Sequence, residues 1–369
     1  MSVLFEPRKM GRLKIPNRLV RSATAERMAR PDGTCGPQME KLYSDLAQGG
    51  VGLIIVGHAC VREDGRNRLS MTGIYNDDHI PGLMKVVEAI HKYGAKAVSQ
   101  INHAGRQTTP AVIGKTPMAP SAVTNKATGL TPREMTLAEI EDMINAFGHA
   151  AHRAKAAGFD GVQIHSAHGY LISEFNSPYT NTRQDEWGGT AEKRMRFITE
   201  VYKEVRRQVG DSYPVLVKLN ADDCLEGGIT VEEVSEIAVR LERLGIDAIE
   251  ISGGMAESKV GTIRAGIDSR EKEAYFLPYA KRLKKAVSVP LLLVGGIRSP
   301  EAAEEILDRG WADFISLCRP LIREPNLPSE WKNGRTEKAA CISCGKCSKY
   351  PDRFINCEVI HPGHPEGSF

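Results

Sequence analysis

Eight short apolar runs, each separated from the next by the length of a crossover helix, constrain this chain more than any other feature. They predict strands over residues 19–23, 53–56, 97–101, 161–164, 215–219, 248–251, 291–294 and 314–317. Near-continuous apolar runs suit parallel strands buried on both faces. Helical periodicity fills the intervals, over residues 38–48, 78–93, 137–157, 191–209, 231–244, 274–287 and 300–309. Gly158 and Gly245 stand just past the last periodic residue of their helices, where a left-handed cap is favoured. Strand–helix units in this number predict an α/β fold, a (β/α)8 TIM barrel. A doubly wound open sheet is the alternative, but no G-x-G-x-x-G opens a first helix, so that fold lacks its dinucleotide fingerprint.

A chain of 369 residues accommodates such a barrel plus an extension. The expected division is a barrel over residues 1–328 and a short cysteine-rich C-terminal tail over 329–369. Two excursions, residues 108–133 and 177–189, are rich in turn formers and predict loops over the barrel mouth, the first with a short hairpin. A net charge of +3 within a 26% charged composition is near balance, which gives no support for nucleic acid or an anionic membrane as partner. The opening MSVLFEPRKMG has no signal-peptide core, and no apolar run reaches the length of a membrane span. A cytoplasmic location and small-molecule chemistry are expected.

Polar residues resume where the strands end. Gln100, Asn102 and His103 close the third strand, His165 and His168 follow the fourth, and Lys218 and Asn220 close the fifth. Gly295 and Gly296 follow the seventh and Arg319 the eighth. Barrel active sites are built at these carboxyl ends. The segment GVQIHSAHGY (161–170) is the densest: two imidazoles and a phenol at one strand end can hold an oxygen between N–H donors and supply a proton beside it. The glycine pair and Arg319 form a phosphate site, because glycine admits close backbone approach and arginine supplies a forked cation. That phosphate belongs to a flavin mononucleotide, a pyridoxal phosphate or a phosphorylated substrate. Lys218 suits either a Schiff base or a fixed cation beside a flavin's N1 and O2. The Gln100 amide matches the donor–acceptor edge of an isoalloxazine, and the two residues together favour the flat ring.

Several segments carry a family resemblance: LFEPRKMGRLKIPNRLVRSAT, GGVGLIIVGHACV, SQINHAGRQ, the long stretch REMTLAEIEDMINAFGHAAHRAKAAGFDGVQIHSAHGYLISEFNSPYTNTRQDEWGGTAEKRMRF, GGIRSPEAAEEIL and ADFISLCRPLIREPNL. Across the whole barrel the chain resembles the old yellow enzyme family of FMN-dependent ene-reductases, in its bacterial two-histidine branch. The resemblance implies FMN, with NAD(P)H as electron donor. Ser22, Ala23, Thr24 and Ala25 would touch the ring near N5, His58 would lie along it, Gln100 at the pyrimidine edge and Lys218 near N1. Gly295, Gly296, Cys318 and Arg319 would hold the phosphate. His165 and His168 would bind the carbonyl oxygen of an enone or enoate, and Tyr170 would protonate its α-carbon. Apart from the resemblance, Arg27, in the loop over residues 25–34, either places a cation near an acidic substrate or is merely solvated. Two positions depart from the family pattern. Ala25 stands where a threonine or cysteine often tunes the flavin's potential, and Cys318 stands where glycine is usual.

Half of the cysteines crowd near the C-terminus: Cys341, Cys344, Cys347 and Cys357. Four thiolates so spaced can hold a [4Fe–4S] cluster or a tetrahedral zinc. They resemble the iron–sulfur segment of the dienoyl-CoA reductase branch, although the gap between the second and third is two residues rather than three. With Phe369 as the last residue and no second flavin domain, a cluster would imply a separate electron-donor protein. The alternative functions are amine oxidation or demethylation within the same family, and a purely electron-transferring flavoprotein. A homo-oligomer is also expected.

Overall fold

The computed structural model describes residues 2–349 and 353–362, so residues 350–352 and 363–369 of the expected tail lie outside the described residues. Eight parallel strands close into a barrel: β1 (Leu19–Arg21), β2 (Leu53–Cys60), β3 (Lys96–Asn102), β4 (Gly161–Ser166), β5 (Val215–Asn220), β6 (Ala248–Ser252), β7 (Leu291–Leu293) and β8 (Phe314–Leu317). Pairing runs in chain order and closes between β8 and β1, where Ile315 stands opposite Leu19. Outer helices include α1 (Pro37–Gln48), α2 (Ile80–His91), α3 (Leu137–Ala156), α4 (Arg196–Val209), α5 (Val231–Leu244), α6 (Leu277–Leu283) and α7 (Pro300–Asp308).

Local chemistry explains the boundaries. Thr136 caps α3 by accepting from the Glu139 backbone N–H, while the Glu139 carboxylate takes the Thr136 N–H in return. Gly245 ends α5 at φ 91°. The helix expected over 191–209 is broken into Ala191–Arg194 and α4, with Met195 between them. β2 runs to Cys60, beyond the expected residue 56, and the whole strand is buried. In the first excursion the paired strands, Met118–Ala119 and Arg133–Glu134, are parallel rather than a hairpin, and one antiparallel bridge joins Asn125 to Leu130.

Side chains alternate along each strand, so every second residue points into the barrel. The floor is apolar: Val20, Leu53, Ile55, Val98, Leu216, Ala248, Leu292 and Phe314 pack together. An antiparallel hairpin, Arg8–Met10 with Leu13–Ile15, plugs this end with Met10, Leu13 and Ile15. Asp247 anchors the plug. It is almost fully buried, accepting from the Arg12 and Val215 backbone N–H groups at 2.9 Å each and from the Arg206 guanidinium at 3.2 Å. One alternation above the floor the inward residues turn polar, with Gln100, Gln163, Lys218 and Glu250 all buried. The site is built on that layer.

Candidate active site

A cavity of about 330 Å³ opens at the carboxyl ends of the strands. Its wall brings together every residue expected to touch cofactor or substrate: Ser22 to Ala25, Arg27, His58, Gln100, His165, His168, Tyr170, Lys218, Gly295, Gly296, Cys318 and Arg319. Ser252, Tyr275 and Phe276 also line it, as do Ser343, Gly345, Cys347 and Ile355 of the tail. Sequence reasoning did not place these in the site, and names Cys347 among them only as a metal ligand. The tail is held by backbone contacts, Ile355 donating to the Glu26 carbonyl at 3.2 Å and Ala339 to the Arg298 carbonyl at 2.7 Å.

The aromatic centre is compact. The His165 and His168 rings lie edge to face with centroids 5.1 Å apart, and Tyr170 is 5.0 Å from His165 and 5.1 Å from His58. His168 has a left-handed backbone, φ 65°, and its N–H donates to the Asn220 side chain at 3.2 Å. Its Nε2 pairs with the Ser252 hydroxyl at 2.7 Å. His165 Nδ1 is buried with no hydrogen-bond partner. An orphaned ring nitrogen in a cavity wall is a group waiting for a ligand atom. The Asn67 amide donates to the Tyr170 hydroxyl, and the Asn102 amide pairs with His58 Nδ1 at 2.8 Å.

Electrostatics keep these groups neutral. Burial, then Arg68 and Lys218, pulls His58 down to about 3. Burial, then Lys218 and His58, does the same to His168. His165 lies well below the ordinary imidazole range, through burial and the other two rings. Tyr170 is raised by burial, against the opposing pull of its Asn67 bond. Two neutral imidazoles and a protonated phenol therefore face the cavity at neutral pH.

The opposite end is shaped for an anion. Gly295 and Gly296 have φ values of 129° and 77°, and a Cβ on Gly296 would lie 2.8 Å from the Tyr275 ring. The short helix Arg319–Arg323 starts beside them, with Arg319 buried and donating to the Ser343 carbonyl at 3.4 Å. The Cys318 sulfur pairs with the Thr24 hydroxyl at 3.2 Å. Close backbone, a buried guanidinium, a lysine and an amide on one wall fit a flavin mononucleotide.

The tail thiols gather near this end. Burial, followed by the proximity of Cys341, Cys318, Cys357 and Cys344, pushes the Cys347 thiol up to about 12. Among the described residues no group of three or more His, Cys, Asp or Glu side chains is placed to hold a metal ion. The cluster or zinc expected at Cys341, Cys344, Cys347 and Cys357 rests on their spacing and on the resemblance to the iron–sulfur segment. No helix among the described residues is long and apolar enough to cross a membrane.

The chain belongs to the NADH:flavin oxidoreductase / NADH oxidase family, whose model matches residues 3–338, the old yellow enzyme family that its motifs resemble. It is 42% identical over 344 residues to an NADH oxidase of Thermoanaerobacter brockii, covering 92% of this chain and 52% of that protein. The solved structure of a 2-naphthoyl-CoA reductase complexed with 2-naphthoyl-CoA matches with a TM-score of 0.91 and 31% identity, over 97% of this chain and 56% of that one. An old yellow enzyme homologue from Zymomonas mobilis matches with a TM-score of 0.78 and 28% identity, over 91% and 94% of the two chains. The chain thus spans 52% and 56% of the first two, about half their length.

Proposed function

We propose that this chain is an FMN-dependent reductase of carbon–carbon double bonds conjugated to a carbonyl group, with NAD(P)H as the electron source. The observation that carries this reading is the neutral trio of His165, His168 and Tyr170 around one cavity, with a buried ring nitrogen of His165 left unpartnered. The name of the 2-naphthoyl-CoA reductase, an enzyme of an aromatic acyl thioester, agrees with a conjugated carbonyl substrate.

Bound in this cavity, FMN would supply hydride transfer between a nicotinamide and the substrate alkene. Ser22, Ala23, Thr24, Ala25, His58, Gln100 and Lys218 would hold its ring, and Gly295, Gly296, Cys318 and Arg319 its phosphate. His165 and His168 each present an imidazole N–H to the substrate's carbonyl oxygen. Donors aimed at a developing oxyanion contribute about 3–4 kcal/mol each. They draw electron density from the β-carbon. Tyr170, protonated and buried, delivers its proton to the α-carbon, and the Asn67 amide steadies the phenolate left behind. Arg27, on the rim with a left-handed backbone of φ 61°, places a cation near an acidic substrate.

Stopped-flow measurement of the two half-reactions tests the assignment. Tyr170→Phe should slow reoxidation by an enone at least tenfold and leave reduction by NAD(P)H nearly unchanged. Equal loss in both halves would overturn it.

A further inference from the structure

We infer that Glu250 is a positioning residue that fixes both the polarity and the net charge offered to the flavin's pyrimidine edge. It stands in the same inward layer as Gln100 and Lys218, fully buried and outside the cavity lining, and reaches the wall through its partners. A carboxylate only accepts hydrogen bonds, so the direction of every bond around it is determined. Oε1 accepts from the Ser22 hydroxyl at 2.7 Å. Oε2 accepts from Gln163 Nε2 at 3.0 Å and stands 3.3 Å from the Lys218 ammonium. Lys218 also donates to the Ser22 hydroxyl at 2.9 Å. Lys218 and Glu250 are register neighbours on β5 and β6, as Gln100 and Gln163 are on β3 and β4.

Polarity follows along the chain of amides. Gln163 must turn its NH2 toward Glu250, so its carbonyl faces Gln100 and accepts from Gln100 Nε2 at 2.7 Å. Gln100 is left with its carbonyl oxygen and one N–H for the cavity. An amide at this place has two orientations of nearly equal shape. The acceptor-only group two residues along the network selects one of them.

Charge follows from the Lys218 pair. An ammonium in the wall stabilises the negative charge that reduction adds to a flavin's pyrimidine edge, and a carboxylate behind it offsets part of that effect. Glu250 therefore holds the potential down and makes the reduced cofactor a stronger hydride donor. Ala25 carries no heteroatom on its side chain, and the buried Lys218–Glu250 pair sets the charge beside the pyrimidine edge.

The inference rests on the flavin reading, and the two fail separately. Protein purified without FMN, and unable to bind added FMN, would sink that reading. Flavin bound with its potential unmoved by charge removal would sink this one alone. The experiment measures FMN midpoint potential by dye equilibration, together with the affinity for oxidised and reduced FMN, in Glu250→Gln, Glu250→Asp and Lys218→Met. Glu250→Gln should bind reduced FMN roughly tenfold tighter relative to oxidised FMN, a more positive potential, as loss of one buried charge implies. Lys218→Met should move the ratio the other way, and Glu250→Asp, which keeps the charge, should stay near the parent. A ratio unchanged in Glu250→Gln, or shifted equally in Glu250→Asp, overturns the proposal. Because affinities are read directly, a variant that retains flavin weakly still decides the matter.

Discussion

The Asn67 side-chain amide donates to the Tyr170 hydroxyl over 3.1 Å, from a loop that follows β2 rather than from the strand carrying the two histidines. A neutral amide there favours the deprotonated phenol that proton delivery creates. Replacing it with leucine removes a bond of about 1 kcal/mol. Asn67→Leu should slow enone reduction roughly five- to tenfold and spare the nicotinamide half-reaction, both read by stopped flow. Because burial already raises Tyr170 and the Asn67 bond opposes that, its loss should also move the alkaline limb of the pH–rate profile upward.

Gly296 tests the anion end. An alanine there would need φ near 77° and a Cβ 2.8 Å from the Tyr275 ring, so backbone and ring would have to separate. Gly296→Ala should be purified with much less flavin absorbance than the parent while keeping a cooperative melt. Full FMN content would contradict the placement of the phosphate.

The buried imidazoles make acid a specific stress. His58 and His168 sit near 3 in the fold, whereas both titrate near 6.5 when exposed. A folded pKa below the unfolded one contributes stability that is fully present above about 6.5 and lost as pH falls from there toward 3. Tm should decline steadily from pH 6.5 to 4, by an amount equivalent to about 1–2 kcal/mol per ring at pH 5. His58→Gln should show a shallower decline in a melting series across that range.

Asp247 predicts how the opposite end of the barrel fails. Asp247→Ala strips a partner from two backbone N–H groups and from the Arg206 guanidinium at once. Breaking such a buried set costs about 3–5 kcal/mol. Chemical denaturation should show that loss, with catalytic constants of the surviving folded fraction unchanged, since the plug lies at the far end from the cavity.

Strand order and most helix limits were legible because continuous apolar runs and 3.6-residue periodicity persist over many residues. The N-terminal hairpin was not, since each of its strands is three residues long and shows only a fragment of alternation. Inward polar residues were half legible. Gln100, His165 and Lys218 stand at strand ends and announce themselves, whereas Gln163 and Glu250 sit inside apolar runs and read as interruptions. Period-two alternation was the signal: Gln163 lies two residues before His165, and Glu250 two before Ser252, on the same inward face. Asn67 and the tail residues of the cavity wall come from segments without periodicity. Only the closed fold brings them to the site.

The tail's contribution to that wall changes what the smallest working unit of this chain is. Ser343, Gly345, Cys347 and Ile355 border the same space as the histidines and the glycine pair. Cutting the chain at Lys338, where the family match ends, would leave all eight strands in place and still breach the chamber from the side. The cysteine-rich segment is thus masonry as well as chemistry: whatever its thiols do, the room in which the reaction takes place has one wall fewer without it.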